Sequence, residues 1–149
     1  MNALLFTIDD RKCTLPLDKV AEVVPSVNID AVPGAPPLLE GVVNVRGEIL
    51  PVLSLRVRLG HVSRPVSPSE YFIIAKARTR RVIFRSDTVP LLFDLSPLTQ
   101  KSEEGVERAI AGVVALPDGV ALVLDVDDFV ALADEPMMER ALSADGKVS

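Results

Sequence analysis

The chain contains no tryptophan, one tyrosine, one histidine and one cysteine among its 149 residues, and aromatic residues make up only 4%. A lone cysteine, Cys13, has no partner for an internal disulfide, which fits a reducing compartment. It lies in an apolar run with Leu15 and Leu17 and reads as a buried, inert thiol. A lone histidine, His61, offers no second imidazole for a dyad or metal pair, and its Pro- and Ser-rich surroundings read as surface. Glycine-rich phosphate cradles, nucleophile elbows and zinc spacings are absent from the sequence. Asp125, Asp127 and Asp128 lack the glycine and distal glutamate of a calcium loop, and read as carboxylates capping a helix start. An enzyme is therefore not expected, nor a metal or cofactor. Long hydrophobic runs are missing too: the longest, from Ala109 to Pro117 and broken by Gly112, is about half the roughly 20 residues of a membrane span. The short apolar run at the N-terminus stops at Asp9-Asp10-Arg11-Lys12, unlike a secretory signal. These features together place the chain in the cytoplasm.

What is present is apolar and unevenly charged. Hydrophobic residues reach 48% against 25% charged, the balance of a globular domain. The mean hydropathy of +0.33 fits either a docking patch left outside or the tight core of a small β protein. Net charge is −5, yet residues 46–85 hold nine basic groups against Glu48 and Glu70, a balance of +7. Arg78, Arg80, Arg81 and Arg85 concentrate that block. Three readings stand: a solvated hairpin tip, an electrostatic match to an acidic protein, or a nucleic-acid surface. The shortage of aromatic stacking platforms and a pI near 4.9 count against nucleic acid.

Short strands dominate. Leu4–Ile8 and Cys13–Leu17 read as a hairpin across Asp9-Asp10, and Val20–Val24 as a third strand interrupted by Glu22. Pro33-Gly34-Ala35-Pro36-Pro37 is a stiff loop. Gly41–Val45 and Ile49–Leu53 flank Arg46-Gly47-Glu48 as a second hairpin. Residues 60–69, rich in Ser and Pro, are the expected crossover between two subdomains. Tyr71–Ala77 with Arg81–Phe84, and Ile110–Leu116 with Val120–Leu124, form two more hairpins. Helix is expected from Asp125 or Asp127 to about Leu132, with another turn or two at 137–142. The pattern is that of small barrels or a sandwich.

One segment is informative beyond composition: Gly41-Val42-Val43-Asn44-Val45-Arg46-Gly47-Glu48-Ile49-Leu50-Pro51-Val52-Leu53-Ser54-Leu55-Arg56. Its Val and Ile residues suit a barrel wall, and Arg46 stands at the end of a rigid turn. There it is either a solvated arginine or a pre-positioned hydrogen-bond donor for a partner. This stretch resembles the CheW family, whose pattern runs G-V-I-N-L-R-G-x-I-x-P-V-x-D-L-R. Phe6-Thr7-Ile8 with Leu17–Val23, Val82–Val89, and Ile110–Val126 resemble other family segments in order and spacing, so the likeness covers residues 4 to about 133.

The resemblance implies an all-β fold of two small SH3-like barrels sharing a hydrophobic core, with a short C-terminal helix. It implies a CheW-like domain over residues 1–136 and a short tail, partly helical or disordered, at 137–149. It further implies a non-catalytic scaffold that binds the cytoplasmic tip of a chemoreceptor and the regulatory domain of a CheA-type histidine kinase. Other CheW-like domains are further partners; nucleic acid and membrane insertion are not. Receptor-docking positions of the family fall on Val20, Glu22, Gly41, Arg46 and Gly47. An alternative is an accessory module that binds only CheW-like or kinase regulatory domains in a motility or regulatory pathway. This sequence departs from the pattern at Ser54, where the family has Asp, and at Ile83–Ser86, where a glycine before V-D-x-V is missing and Ser86 takes the valine place.

Overall fold

The computed structural model describes residues 2–94, 99–100 and 108–133. The expected tail from 137, with its helical turns at 137–142, lies outside them. The described chain forms eleven strands: β1 (Asn2–Ile8), β2 (Arg11–Pro16), β3 (Val20–Pro25), β4 (Leu39–Val45), β5 (Glu48–Leu53), β6 (Tyr71–Lys76), β7 (Arg81–Ser86), β8 (Leu91–Asp94), β9 (Thr99–Gln100), β10 (Ile110–Leu116) and β11 (Gly119–Leu124). Two short helices, α1 (Leu55–Arg58) and α2 (Val126–Leu132), and a 3₁₀ turn at Leu17–Lys19 complete it.

The strands form a six-stranded sheet, ordered β8-β1-β2-β11-β10-β9, and a five-stranded sheet, ordered β3-β6-β7-β5-β4. The chain lays down β1 and β2, passes through the 3₁₀ turn to build the whole second sheet, then returns through residues 87–90 to finish the first. Residues 60–69 therefore do not carry the chain between the two units. They join α1 to β6, and the strands before and after them, β5 and β6, belong to one sheet. Proline and serine content marked the segment as a loop but could not say which sheets it joins. Parallel pairs β2–β11 and β5–β7 connect strands distant in sequence.

Sheet packing explains the apolar runs. Along β6, Phe72 and Ile74 enter one cluster with Val43, Leu50, Val52 and Ile83. Their alternates Ile73 and Ala75 enter another with Leu4, Phe6, Leu15, Val82, Phe84 and Phe129. Both faces of the five-stranded sheet are thus covered, so β6 and β7 read as continuous hydrophobic stretches rather than alternating ones. The second cluster draws on both sheets and α2 and is the shared core; Phe84 and Phe129 meet edge to face at 5.1 Å. Each such side chain, fully buried, contributes about 1.5–3 kcal/mol. The fold is that of two small SH3-like barrels on a common core, closed by a short helix, as the resemblance implied.

Helix caps fix the ends. Asp125 accepts a hydrogen bond from the Asp128 N–H at 3.0 Å and starts α2 where expected. Ser54 accepts from the Val57 N–H at 3.2 Å and starts α1. Serine and aspartate are both favoured N-cap residues, so the departure from the family pattern at Ser54 leaves the helix start capped.

Candidate functional site

The turn between β4 and β5 is a two-residue hairpin. Val45 pairs with Glu48, and both Arg46 (φ 52°) and Gly47 (φ 90°) lie in the left-handed region, as a type I′ turn demands. A Cβ on Gly47 would meet nothing within 4 Å, so glycine serves conformation there rather than space. The Asn44 Oδ1 accepts from the Gly47 N–H at 2.8 Å and locks the turn. Arg46 is 65% exposed and donates through Nη2 to Glu22 Oε2 on β3. β3 and β4 are opposite edges of the five-stranded sheet, so this ion pair spans a sheet that has curled on itself. Hydrogen bonding from Arg46 holds the Glu22 carboxyl below its ordinary value, and Glu22 raises that of Arg46. Arg81 lies 3.5 Å from Glu48, and together they form a rim of alternating charge.

A bulge between Val20 and Glu22 interrupts the β3–β6 ladder. Val20 is half-buried and packs against the shared core. Gly41 lies farther along β4 and is buried. A Cβ there would stand 2.3 Å from the Asp30 carbonyl oxygen and 2.7 Å from Ile29 Cγ2. Its lack of a side chain lets residues 29–30 lie on β4, where Asp30 and Val42 exchange backbone hydrogen bonds of 2.9 and 2.8 Å. Of the five positions that the resemblance implied for receptor docking, Glu22, Arg46 and Gly47 meet at the turn, Val20 lies across the bulge from Glu22, and Gly41 is set apart.

The basic block does not form one patch. Arg78 is exposed at the β6–β7 tip, with its N–H held by Asp127 Oδ1 at 2.5 Å. Arg80 and Arg81 are half-buried. Arg85 is only 1% exposed. It donates to both oxygens of Glu70 (2.7 and 2.9 Å), to Glu40 (2.6 Å) and to the carbonyls of Arg64 (2.9 Å) and Pro65 (3.1 Å). Arg85 follows the strand pleat inward behind Ile83, so it is removed from the expected surface patch; a guanidinium so placed must be paired. Burial raises the Glu40 carboxyl above its ordinary value, against the lowering by Arg85.

A second internal cluster had no counterpart in the sequence reading. Arg56, 1% exposed, contacts Asp9 at 3.1 Å and Asp87 through Nη2. Arg64 reaches the same carboxylates at 3.5 and 3.1 Å. His61 Nδ1 lies 3.1 Å from Asp9 Oδ2, and the Asp9 N–H donates to Asp87 at 2.8 Å. The cluster ties the β1–β2 turn to the segment after β7, and so one sheet to the other. Asp87 was visible only as part of a family segment; its partners lie 31 and 78 positions away. The three aspartates near α2 have separate tasks: Asp125 caps, Asp127 holds the Arg78 N–H, and Asp128 holds Arg108 and the Ala109 N–H. Cys13 is fully buried, and burial pushes its thiol up to about 12.

A family model described as the CheW-like domain matches residues 2–134. The "Probable chemotaxis protein CheW" of Rhizobium etli is 26% identical over 145 residues, 93% of this chain and 90% of that one. The "Chemotaxis protein CheW" of Thermotoga maritima is 28% identical over 131 residues, covering 85% of each. Among solved structures, the scaffolding protein TtCheW from Thermoanaerobacter tengcongensis superposes with a TM-score of 0.72 at 23% identity, over 86% of this chain and 90% of that one. The chain belongs to the CheW-like domain family. These curated relatives carry the name chemotaxis protein CheW.

Proposed function

We propose that this protein is a non-catalytic coupling scaffold, holding the cytoplasmic tip of a chemoreceptor against the regulatory domain of a CheA-type histidine kinase. The observation that carries the reading is the β4–β5 turn. Arg46 is exposed, yet its backbone is fixed by Gly47 and Asn44 and its guanidinium is oriented by Glu22. A side chain ordered before binding loses less entropy on docking, as a hot-spot arginine should. Val20 supplies apolar area beside it, while Gly41 shapes the wall from behind. Burial of Arg56 and Arg85 removes two cations from the basic block, which weakens the nucleic-acid reading. No helix among the described residues is long and apolar enough to cross a membrane.

A second reading, an accessory module for CheW-like domains alone, is favoured by one feature. Among the described residues β8 is an edge strand, and it exposes Leu91 (60%) and Leu92 (69%), with Val89 (59%) just before it. Apolar edge strands suit docking of another β domain. Co-purification of the full chain with a receptor signalling domain and with a kinase regulatory domain separates the two. Binding to both supports the coupling scaffold, kinase binding alone supports the accessory module, and loss of both overturns each.

A further inference from the structure

A groove of about 630 Å³ opens on the five-stranded unit, away from the Arg46 turn and unused by the docking reading. One wall is Ile29 and Asp30; the other is Ser63, Pro65 and Val66. Glu40 and Arg85 line its depth. The volume falls within the range of sites that accept a small ligand or one partner side chain.

The chemistry of the lining selects the occupant. Glu40 has a side chain only 10% exposed and meets Arg85 Nη1 through Oε1 at 2.6 Å. No hydrogen bond engages its Oε2 among the described residues, while Arg85 is shared with both oxygens of Glu70. One guanidinium thus serves two buried carboxylates. Arg64 also borders the groove, but its charge is committed to Asp9 and Asp87. Among the described residues, Asp30, Glu40, Arg64 and Arg85 are the charged residues of the lining; behind them Glu70 pairs with Arg85, and Asp9 and Asp87 pair with Arg56 and Arg64, with His61 against Asp9. At the depth, Glu40 and Glu70 share the one Arg85 and leave one negative charge in excess, Asp30 adds a carboxylate at the exposed wall, and Ile29, Pro65 and Val66 supply the apolar surface. A buried carboxylate with an open acceptor is a strong hydrogen-bonding partner for a cation.

We infer that this groove is a binding site for a basic side chain of a protein partner, its guanidinium or ammonium head meeting Glu40 and Asp30 and its aliphatic stem lying on Ile29, Pro65 and Val66. The stem-and-head division of the walls matches the amphipathic form of arginine and lysine. The raised Glu40 carboxyl agrees with this, since Arg85 does not offset its burial.

The test is an NMR titration of the ¹⁵N-labelled full chain with the blocked peptide acetyl-Ala-Arg-Ala-amide. Its control is the same peptide carrying citrulline, which keeps the shape and removes the charge. Saturating shifts at Ile29, Asp30, Arg64 and Val66 are expected, with the citrulline peptide binding roughly tenfold weaker or less. Glu40→Gln is expected to lower affinity to a similar degree. Because Glu40 also supports Arg85, Ser63→Trp provides an independent block: it fills the mouth from an exposed loop and touches no ion pair. Shifts that fail to saturate, equal binding of the citrulline peptide, or full binding by Ser63→Trp would each overturn the site. Saturation by agmatine without any binding of the blocked peptide would overturn the assignment to a protein side chain. Neither receptor nor kinase enters the assay, so its outcome is independent of the coupling reading.

Discussion

Replacing Arg85 with methionine separates a buried network from a surface patch more sharply than any other change. The guanidinium makes five hydrogen bonds, and the side chains of Arg85 and Glu70 are 2% and 1% exposed. Methionine retains most of the volume but leaves Glu70 and Glu40 without a counter-charge. Breaking a buried pair by removing one partner costs about 3–5 kcal/mol, against a total of about 5–15 kcal/mol for a domain. With a urea dependence of about 2 kcal/mol per molar, the unfolding midpoint should drop by about 2 M. Arg78→Ala, at an exposed tip, should stay within about 0.5 kcal/mol of wild type. The loss should also depend on pH. Without Arg85 the Glu40 carboxyl, already raised by burial, loses the lowering that Arg85 supplies, so the folded form gains stability relative to the unfolded one as pH falls. The deficit should therefore be largest near pH 8 and shrink toward pH 5. The triple change Arg85→Met, Glu70→Leu, Glu40→Met should recover most of it, because apolar replacement of a whole buried network is tolerated. A deficit for Arg85→Met under about 0.5 kcal/mol, flat with pH, would refute the reasoning.

Other outcomes follow from the same geometry. Gly41→Ala should destabilise by about 2 kcal/mol or more, since its methyl must displace the Asp30 carbonyl. Gly47→Ala should cost only the left-handed backbone penalty of about 1–2 kcal/mol; equal costs by urea unfolding would contradict the distinction. Cys13 should react with a thiol reagent only as fast as the chain unfolds, since burial pushes its thiol up to about 12; rapid labelling of the native form would show it accessible. Asp128 is held below its ordinary value by Arg108 and the Ala109 N–H, and Asp9, despite burial, by His61, Arg56 and Arg64. A depressed carboxyl stabilises the fold above its unfolded value and ceases to do so as pH falls through the folded one. Urea midpoints should thus decline below pH 4, and Asp128→Asn should flatten that decline.

The hairpins and the start of α2 were legible because turn residues and apolar runs are local signals. Asp9-Asp10 and Arg46-Gly47 occupy left-handed turns, and Asp125 caps a helix within three residues of itself. The burial of Arg85 was not legible: its partners lie 15 and 45 positions away, and only the tertiary register brings them in. A warning was present, since Arg85 extends the unbroken apolar run Val82-Ile83-Phe84 on the inward side of Ile83. β8 and α1 were missed because four residues carry too little periodicity. The route of the chain between sheets was hidden for a related reason, as residues 60–69 have the composition of a linker but leave and re-enter the same sheet. At the β4–β5 turn, Arg46 and Gly47 were visible in the motif, whereas the contact with Glu22 depends on the curl of the five-stranded sheet.

The most direct test of the coupling reading is the affinity of the full chain for a receptor cytoplasmic tip from the same organism, wild type against Arg46→Ala, with folding checked by circular dichroism. The account predicts that wild type binds and that Arg46→Ala binds at least about thirtyfold more weakly while remaining folded. Unchanged affinity in the variant would contradict the role given to the Arg46 turn, and no binding by wild type would contradict receptor coupling itself.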